Sequence, residues 1–429
     1  MVIKLVNAIL WSVAAEHADE ASPKSMIKSV GQLTLESEEA RTTQRVSASG
    51  TSASYRRYER LRVALVHDYL SGMRGGEKVL ESLCRLFPHA PLYTLLHNRG
   101  SVSPLIEDRG ITTSPLQYLP FAATKYRHYL PLFPVCAELT KVGDCDLVIS
   151  TSHAVAKAMV RRRRGKPKHI CYIHTPMRYV WDRFDDYFGS AKVGRLPSRY
   201  IYRPIARALR SYDRATNDRV DVFVANSRFV ADRVRRIYQR PAEVVHPPVD
   251  AERFASLERA PEDWYVVVSA LAPYKRVDLA IAACTALGRP LKIVGSGPEL
   301  PALRDLARNL SAEVEFLGFV SAAELGNYYR RARALLFPGV EDFGIVPVEA
   351  IASGCPVVAL GEGGILDSMN TDTAVLYSDP SVEGLRAAIL EFEARAFDEP
   401  TLRRRARAFS EDAFLSGFTA VLDETLRSQ

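Results

Sequence analysis

Short runs of β-branched residues alternate with helix-patterned segments along most of this chain, and that alternation constrains the fold more than any other feature. The run "RVALVHD" (62–68) is followed by Gly75 and Gly76, and then by apolar residues at helical spacing. A strand, a glycine loop and a helix in this order form the beginning of a doubly wound α/β unit. Because strands and helices keep alternating, the sequence predicts parallel sheets.

The alternation occurs in two series, which a proline pair at Pro247 and Pro248 separates. In the first series, further strands are predicted at 91–96, 145–152, 169–175 and 220–227; in the second, they are predicted in "DWYVVVSAL", "LKIVGSGP", "VEFLGFV" and "ALLFP". We therefore predict two tandem Rossmann-like domains, at 61–250 and 251–405. The last segment, 406–429, is predicted to be a helix that packs back toward the first domain.

The first 60 residues differ in composition from the rest of the chain. They are rich in Ser, Thr, Ala and charged residues and show no sustained period, so we predict a disordered extension at 1–60. The beginning, "MVIKLVNAILWSVAAEHADEA", faintly resembles a signal peptide, but its single lysine is a weak basic region for export.

Charge and cysteine content limit the function classes without choosing one. A net charge of +7 suits a nucleic acid, an anionic membrane or a phosphorylated small molecule. The six cysteines show no C-x-x-C pair and no zinc-ligand spacing, so we expect reduced thiols in the cytoplasm and no bound metal. We find no apolar run of the roughly 18 residues that a membrane-spanning helix needs.

The segment "FPGVEDFGIVPVEAIASGCPVVA" (337–359) places two acids around the beginning of a helix. The helix is predicted to begin near Phe343–Ile345, since Pro347 is tolerated in a first turn. Glu341 would then lie at the carboxyl edge of the sheet, where open α/β sheets bind ligands. The N–H groups of Phe343, Gly344 and Ile345 would form an anion site. Alternatively, Glu341 simply complements the helix dipole.

Three further motifs accompany that segment, and together they carry a resemblance. With "VALVHDYLSGMRGGEKVL", "CYIHTPMRYVWD" and "SALAPYKRVDLAIAA", the chain from about 61 to 429 resembles the retaining glycosyltransferases of family 4, which have the GT-B fold. The subgroup it resembles is the polysaccharide and O-antigen mannosyltransferase-like enzymes. The resemblance implies an acceptor domain, a donor domain and a cleft between them. It also implies hexose transfer from a nucleotide sugar, GDP-mannose in this subgroup, without a catalytic metal or other cofactor.

The resemblance assigns roles to individual residues. Glu341 would contact the donor hexose, Lys275 and Arg276 would neutralise the leaving diphosphate, and His174 would be the active-site histidine. The residues that would bind the donor nucleotide sugar are Gly75, Gly76, Gly295, Gly297, Phe319, Phe343, Gly344, Ile345 and, at the ribose, Glu349. Many family members have Arg where this chain has Ala270, so one diphosphate contact is missing. A solvated helix start for "YKR" and a structural role for His174 stay open.

Two basic segments, 161–169 and 194–215, suggest a surface for anionic partners. The first is "RRRRGKPKH", which is either a solvated loop or a contact with anionic lipid or a lipid-linked diphosphate acceptor. In the second, Arg alternates with Tyr, Leu and Ile, as in an interfacial helix. We therefore predict a cytoplasmic enzyme bound peripherally to the inner face of the membrane. No recognition motif for nucleic acid accompanies the charge, and we expect none to bind.

Two acidic stretches of the sequence do not fit a metal site. "DCD" (144–146) imitates a metal-binding motif but precedes a predicted strand, and "WDRFDDY" (181–187) lacks ligand spacing. The predicted function is hexose transfer to a glycan or lipid-linked acceptor in cell-surface polysaccharide synthesis. A nucleotide-sugar epimerase of the same fold, and an inactive sugar-nucleotide-binding scaffold on the membrane, remain alternatives.

Overall fold

The chain forms two parallel β-sheets that are flanked by helices. The computed structural model describes residues 56–161, 167–189, 194–255 and 258–427. The strands of the first sheet are β1 Val63–His67, β2 Leu92–Thr94, β3 Ile111–Thr113, β4 Leu147–Ser152, β5 Lys168–Ile173, β6 Val222–Ala225 and β7 Glu243–Val244; those of the second are β8 Tyr265–Val268, β9 Leu291–Val294, β10 Val314–Gly318, β11 Leu335–Phe337, β12 Val357–Leu360 and β13 Ala374–Tyr377. All neighbouring strands are parallel, so the predicted pair of doubly wound α/β sheets is confirmed.

Helices connect the strands in both domains. In the first domain the α-helices are Gly75–Leu86, Pro104–Glu107, Ala122–Lys125, Phe133–Leu139, Arg178–Trp181, Phe184–Phe188, Arg195–Pro197, Arg203–Ala215 and Arg228–Tyr238; those that follow are Ala251–Ala255, Val277–Leu287, Leu300–Asn309, Ala322–Arg331, Ile345–Ala352, Ile365–Ser368, Val382–Glu393, Glu399–Arg407 and Glu411–Arg427. Ser321 caps its helix and Glu324 returns the capping bond.

The apolar strand sequences follow from burial on both faces. All five residues of β1, "VALVH", are buried, because helices cover the sheet on either side. Within the sheet, Leu65 pairs with Leu92 of β2 and with Ile149 of β4. Such a strand can be recognised in the sequence as a continuous apolar run, and this is why β1 was predictable.

Both sheets have a point where the strand order reverses, and these points locate the ligand crevice. The order is β3-β2-β1-β4-β5-β6-β7 in the first sheet and β10-β9-β8-β11-β12-β13 in the second. Ligands of open α/β sheets bind outside the carboxyl ends of the strands at such a reversal. The segments after β1 and β4, and after β8 and β11, are therefore the ones that the fold places around a ligand.

The C-terminal helix Glu411–Arg427 packs on the first domain. Phe414 and Phe418 are buried in the same apolar cluster as Leu80 of the helix after β1. The ring centroids of Phe414 and Tyr172 lie 5.8 Å apart, and Arg85 forms an ion pair with Glu411. The chain thus crosses back, and its last helix completes a core that earlier strands began.

The segment just before β1 belongs to the folded part, which corrects the predicted boundary of the extension. Residues 56–60 were assigned to the disordered extension, but Arg56–Tyr58 forms a 3₁₀ turn and Tyr58 is buried. The Tyr58 hydroxyl donates to Asp423 of the C-terminal helix at 2.7 Å. An aromatic ring buried in this way fixes the chain ahead of β1. The predicted disorder of 1–55 lies outside the described residues.

Two general properties concern thiols and membranes. The six cysteines are free; five are buried and Cys145 is half-buried. Across the ranges that the structure describes, no helix is long and apolar enough to cross a bilayer.

Candidate active site

The two domains meet at the beginning of the helix Gly75–Leu86, whose first two residues are the glycine pair. A Cβ atom on Gly75 would lie 2.7 Å from Cδ1 of Ile345, the first residue of the helix Ile345–Ala352. The beginnings of two helices, one from each domain, therefore face each other, and their unpaired N–H groups and dipoles favour an anion between them. A side chain at Gly75 would separate the two ends.

Glu341 and Lys275 form an ion pair in this cleft. Lys275 ends the 3₁₀ turn after β8, and Glu341 lies in the loop after β11, so each comes from the strand edge at the reversal. The side chain of Glu341 is 16% exposed and that of Lys275 is 17% exposed, so both are within reach of a ligand. A Cβ at Gly339 would lie 2.8 Å from the Lys275 Cα, so this glycine lets the two loops touch.

The backbone of Glu341 is fixed by the loop after β12. Gly364 donates its N–H to the Glu341 carbonyl oxygen at 2.8 Å, and Gly363 pairs with Glu341 as a bridge. A side chain at Gly364 would overlap the backbone of Asp342. The position of the Glu341 carboxylate is therefore set by the packing of two loops and does not depend on Lys275 alone.

The predicted nucleotide-sugar-binding residues Phe343, Gly344 and Glu349 lie just after Glu341, in the loop and in the helix Ile345–Ala352. Gly344 has φ +86° and lies immediately before the helix, which begins at Ile345 as predicted. Phe343 is buried, with its ring 5.4 Å from that of His246. Glu349 is half-buried and accepts a hydrogen bond from Tyr329 at 3.1 Å. Burial raises the pKa of Glu349 from 4.5 to about 7, so near neutrality this group holds a proton part of the time.

Arg276 lies beside the pair but turns away from it. The residue is left-handed, with φ +51°, and its guanidinium donates to Asp278 at 3.1 Å. In the structure Arg276 is thus the partner of an acid at the beginning of its own helix, and Lys275 is the basic residue that meets Glu341.

The other predicted C-domain residues lie at the same edge of the sheet. A side chain at Gly295 or Gly297 would overlap the carbonyl oxygens of Ser269 or Leu271, so both glycines let the turn after β9 pack on the loop that leads to Lys275. Phe319 follows β10 and is 88% exposed. A ring in this position is open to stacking by a planar ligand.

On the first-domain side, His174 follows β5 and lies against the glycine pair. A Cβ on Gly76 would be 3.4 Å from Nε2 of His174. That nitrogen is buried and has no hydrogen-bond partner among the described residues. Burial, and then the neighbouring His153, lower the pKa of His174 to about 3. His174 is therefore a neutral group whose buried Nε2, without a partner among the described residues, lies against Gly76.

A set of polar residues beside His174 was not singled out from the sequence. The carboxylate of Asp68, just after β1, is buried and accepts four backbone N–H groups at 2.6–2.8 Å, from His153, Ala154, Val155 and Ala156. His153 Nδ1 lies 3.3 Å from Asp68, and its Nε2 lies 2.6 Å from the Tyr69 hydroxyl. The signal was a polar "HDY" directly after an apolar strand.

A second missed set joins the domains through one carboxylate. Asp342 forms ion pairs with Arg178 and with Arg233 of the first domain, the latter at 2.7 Å. Arg233 also pairs with Asp182, so the acidic stretch 181–187 contributes one carboxylate to this network. Ser227 donates to the Asp342 carbonyl oxygen. The contacts of Asp342 bring together residues more than 100 positions apart, which no local pattern indicates.

The two basic segments are connected on one side of the first domain. Glu138 pairs with Arg161, at the beginning of the first segment, and accepts from Tyr212 of the second at 2.9 Å. The second segment exposes four arginines at four-residue spacing: Arg195, Arg199, Arg203 and Arg207. It also exposes the apolar side chains of Leu196, Tyr200 and Ile201. Residues 162–166 of the first segment lie outside the described structure.

The acidic motif "DCD" has a structural partner. Asp146 accepts two hydrogen bonds from the Arg62 guanidinium, at 3.1 and 2.9 Å, at the beginning of β1. Within the described ranges, no group of three or more His, Cys, Asp or Glu side chains is arranged to hold a metal ion.

Comparison with known families agrees with this arrangement. Residues 73–253 match the family described as "Glycosyltransferase Family 4". Residues 248–410 match the family described as "Glycosyl transferases group 1". The two matches adjoin at the segment between the sheets, so each sheet with its helices corresponds to one of these domains.

Two curated relatives share part of the sequence. The D-inositol 3-phosphate glycosyltransferase of Mycobacteroides abscessus is 32% identical over 170 residues, which cover 34% of this chain and 38% of that protein. The GDP-mannose-dependent alpha-(1-6)-phosphatidylinositol monomannoside mannosyltransferase of Mycobacterium tuberculosis is 30% identical over 217 residues, which cover 44% and 56%. The matched region thus spans about half of these relatives, or less.

Solved structures show the same fold over most of the chain. A lipopolysaccharide outer core galactosyltransferase superposes with a TM-score of 0.60 at 15% identity, over 84% of this chain and 99% of that one. HepE from Anabaena, in complex with UDP and glucose, superposes with a TM-score of 0.60 at 16% identity, over 85% and 99%. Residues 73–253 and 248–410 are therefore similar to two glycosyltransferase families in tandem, and the chain has the two-domain GT-B fold.

Proposed function

We propose that this protein is a retaining glycosyltransferase that moves a hexose from a nucleotide sugar to an acceptor hydroxyl. The observation that carries the proposal is the Lys275–Glu341 ion pair at the carboxyl edge of the second sheet. It lies where the helix after Glu341 meets the glycine loop of the first domain. A cation, a carboxylate and two helix ends in one cleft suit a substrate that combines a diphosphate with a sugar.

The pair has a chemical role in such a transfer. When the bond between sugar and diphosphate breaks, negative charge grows on the leaving phosphate oxygen, and Lys275 would stabilise it. Glu341 would hold the hexose through its hydroxyl groups. In the structure the two charges satisfy each other, and a donor that binds here would insert between them. We propose that the attack occurs on the same face as departure, without a covalent enzyme intermediate and without a metal ion.

His174 fits the acceptor side of this reaction. Its pKa of about 3 keeps the imidazole neutral, and the partnerless Nε2 is able to exchange a hydrogen bond with a sugar or acceptor hydroxyl. The neighbouring glycine pair leaves the helix N-terminus open toward a phosphate. We therefore place donor and acceptor between His174 and Glu341.

We propose GDP-mannose as the donor. One support is a relative named as GDP-mannose-dependent, 30% identical over 217 residues. A fold neighbour has UDP and glucose in its title, but at 16% identity it bears on the fold and does not favour a base. The exposed Phe319 and the half-buried Glu349 are the groups that we expect at the base and the ribose.

We propose that the acceptor is a glycan or lipid-linked glycan in cell-surface polysaccharide synthesis, reached from the inner face of the membrane. Glu138 connects Arg161 with Tyr212, so the two basic segments belong to one surface. There, exposed arginines at four-residue spacing are interleaved with Leu196, Tyr200 and Ile201. Arginine attracts anionic headgroups, and the apolar side chains can enter the interface.

The experiment is a panel of nucleotide sugars incubated with the purified protein and with Glu341→Ala, with and without a chelator. Stabilisation in thermal unfolding and slow release of nucleotide are measured. We expect GDP-mannose to stabilise the protein and the variant to lose release, in the presence of the chelator as well. Stabilisation by a UDP-sugar would replace the donor. Stabilisation by a nucleotide sugar without any release of nucleotide would favour the inactive scaffold. No response to any nucleotide sugar would overturn the transferase, and acceptor-independent conversion of the sugar would indicate an epimerase.

A further inference from the structure

Arg178 reaches from the first domain into the cleft. It begins the helix Arg178–Trp181, four residues after His174. Its guanidinium pairs with Asp342, the residue that follows Glu341 in the donor-side loop. The Arg178 side chain is 21% exposed. It is thus a largely buried cation that remains open to the space in which a donor would bind.

Positively charged side chains cluster at this point of the cleft. The guanidinium carbons of Arg178 and Arg183 lie 5.6 and 5.3 Å from the ring centroid of Tyr274. The amine of Lys275 lies 5.3 Å from the same centroid. Three cations therefore border one ring. Lys275 is balanced by Glu341, whereas Asp342 divides its charge between Arg178 and a second arginine. An anion is the ligand that such a cluster of cations attracts.

Arg178 is able to change partners at small cost. The two oxygens of Asp342 take separate arginines, with Arg233 on Oδ1 at 2.7 Å and Arg178 on Oδ2. If Arg178 turned to a ligand, Asp342 would still be paired with Arg233. Burial disfavours the charge on Arg178, but the carboxylates of Asp342 and Glu341 outweigh it and raise the Arg178 pKa. The side chain therefore stays cationic whether or not a ligand is bound.

We infer that Arg178 is a first-domain ligand for a diphosphate, to which it redirects the hydrogen bond that it donates to Asp342 when substrate binds. A planar guanidinium matches two phosphate oxygens at once, which the point charge of Lys275 does not. The diphosphate would then be held from both domains, by Lys275 on one side and by Arg178 on the other. This inference rests on the proposed function. The diphosphate belongs either to the donor or to a lipid-linked acceptor.

The experiment compares nucleoside diphosphates with monophosphates. Affinities of GDP, GMP, UDP and UMP are measured by calorimetry on the full chain, on Arg178→Lys and Arg178→Ala, and on Arg233→Lys. Arg233→Lys is the control, because it weakens the other ion pair of Asp342, on the side that does not border Tyr274. We expect the Arg178 variants to lower diphosphate affinity by roughly 10- to 100-fold and monophosphate affinity by less than about twofold. We expect Arg233→Lys to leave the ratio between the two unchanged.

A second arm identifies the source of the diphosphate. A short polyprenyl diphosphate and the corresponding polyprenyl alcohol are compared as competitors for each variant. If Arg178→Lys spares the nucleotide ratio but weakens the polyprenyl diphosphate about tenfold or more, the site is confirmed with the acceptor as its source. If neither ratio changes, or if Arg233→Lys changes them equally, Arg178 is an interdomain contact and the inference is wrong. A wild-type protein that binds no nucleotide would instead contradict the proposed function, and this inference with it.

Discussion

Arg233 of the first domain donates to Asp342 of the second at 2.7 Å, and this carboxylate also takes Arg178. The chain thus couples the two domains through the residue next to Glu341. Because a single carboxylate connects both arginines, it holds the domains in register and fixes the loop that carries the candidate active-site acid.

We expect Asp342→Asn to loosen the two domains. The change leaves Arg178 without its carboxylate and the buried Arg233 with Asp182 alone, and breaking a buried pair costs about 3–5 kcal/mol. Calorimetric unfolding should show a lower midpoint and a separation into two transitions. The matched control is Asp232→Asn, which removes an exposed pair with Arg235 and should change stability by less than about 0.5 kcal/mol. A variant that unfolds in one transition at the wild-type midpoint would contradict the coupling.

We expect Lys275→Met to reduce turnover by roughly 10²- to 10³-fold, because the leaving diphosphate loses its fixed positive charge. The measurement is kcat for nucleotide release from the nucleotide sugar that stabilises the protein. Lys292→Met is the control, since Lys292 forms another lysine–glutamate pair of the same domain, with Glu315 at 2.9 Å. Equal turnover in the two variants would show that the Lys275–Glu341 pair is structural.

The elements and the candidate acids could be predicted because they depend on local patterns. The apolar run of β1, the glycine pair before a helix, and Glu341 between a strand and a helix are each visible within about ten residues. Arg178 and Asp342 lie 164 positions apart, and their contact depends on how two domains close. The ion pair of Arg276 could have been predicted from local sequence, since Asp278 follows two residues later at the beginning of a helix.

Glu349 should make the free energy of unfolding of the protein decrease as the pH rises. Its pKa is raised from 4.5 to about 7, so between these values the folded state binds more protons than the unfolded state, and the free energy of unfolding decreases with pH. The decrease amounts to about 1.4 kcal/mol for each pH unit that separates the two pKa values. Denaturant unfolding from pH 4.5 to 8 is compared with that of Glu349→Gln. The difference between the two proteins should grow in favour of the variant toward pH 8; a constant difference would contradict the raised pKa.

The basic surface of the first domain should bind anionic vesicles. We expect the combined replacement of Arg195, Arg199 and Arg207 by Ser to weaken binding to phosphatidylglycerol vesicles by roughly 100-fold at low salt, from about 1 kcal/mol per arginine. Co-sedimentation is measured at several salt concentrations, with neutral vesicles for comparison. The control replaces the exposed Arg235 and Arg236 of the helix Arg228–Tyr238. Equal loss in both variants would indicate general attraction by net charge and no specific membrane face.

The C-terminal helix should be required for the stability of the first domain. Phe418 is fully buried against the core that includes Leu80, and replacing a buried Phe by Ala costs about 3–5 kcal/mol. We therefore expect Phe418→Ala to lower the free energy of unfolding by this amount. Leu390→Ala, on a half-exposed position of the helix Val382–Glu393, should cost less than about 1 kcal/mol. If both variants lose the same small amount in denaturant unfolding, the helix is only peripherally docked. A large loss for Phe418 alone would show that the first domain depends on the last segment of the chain for its core.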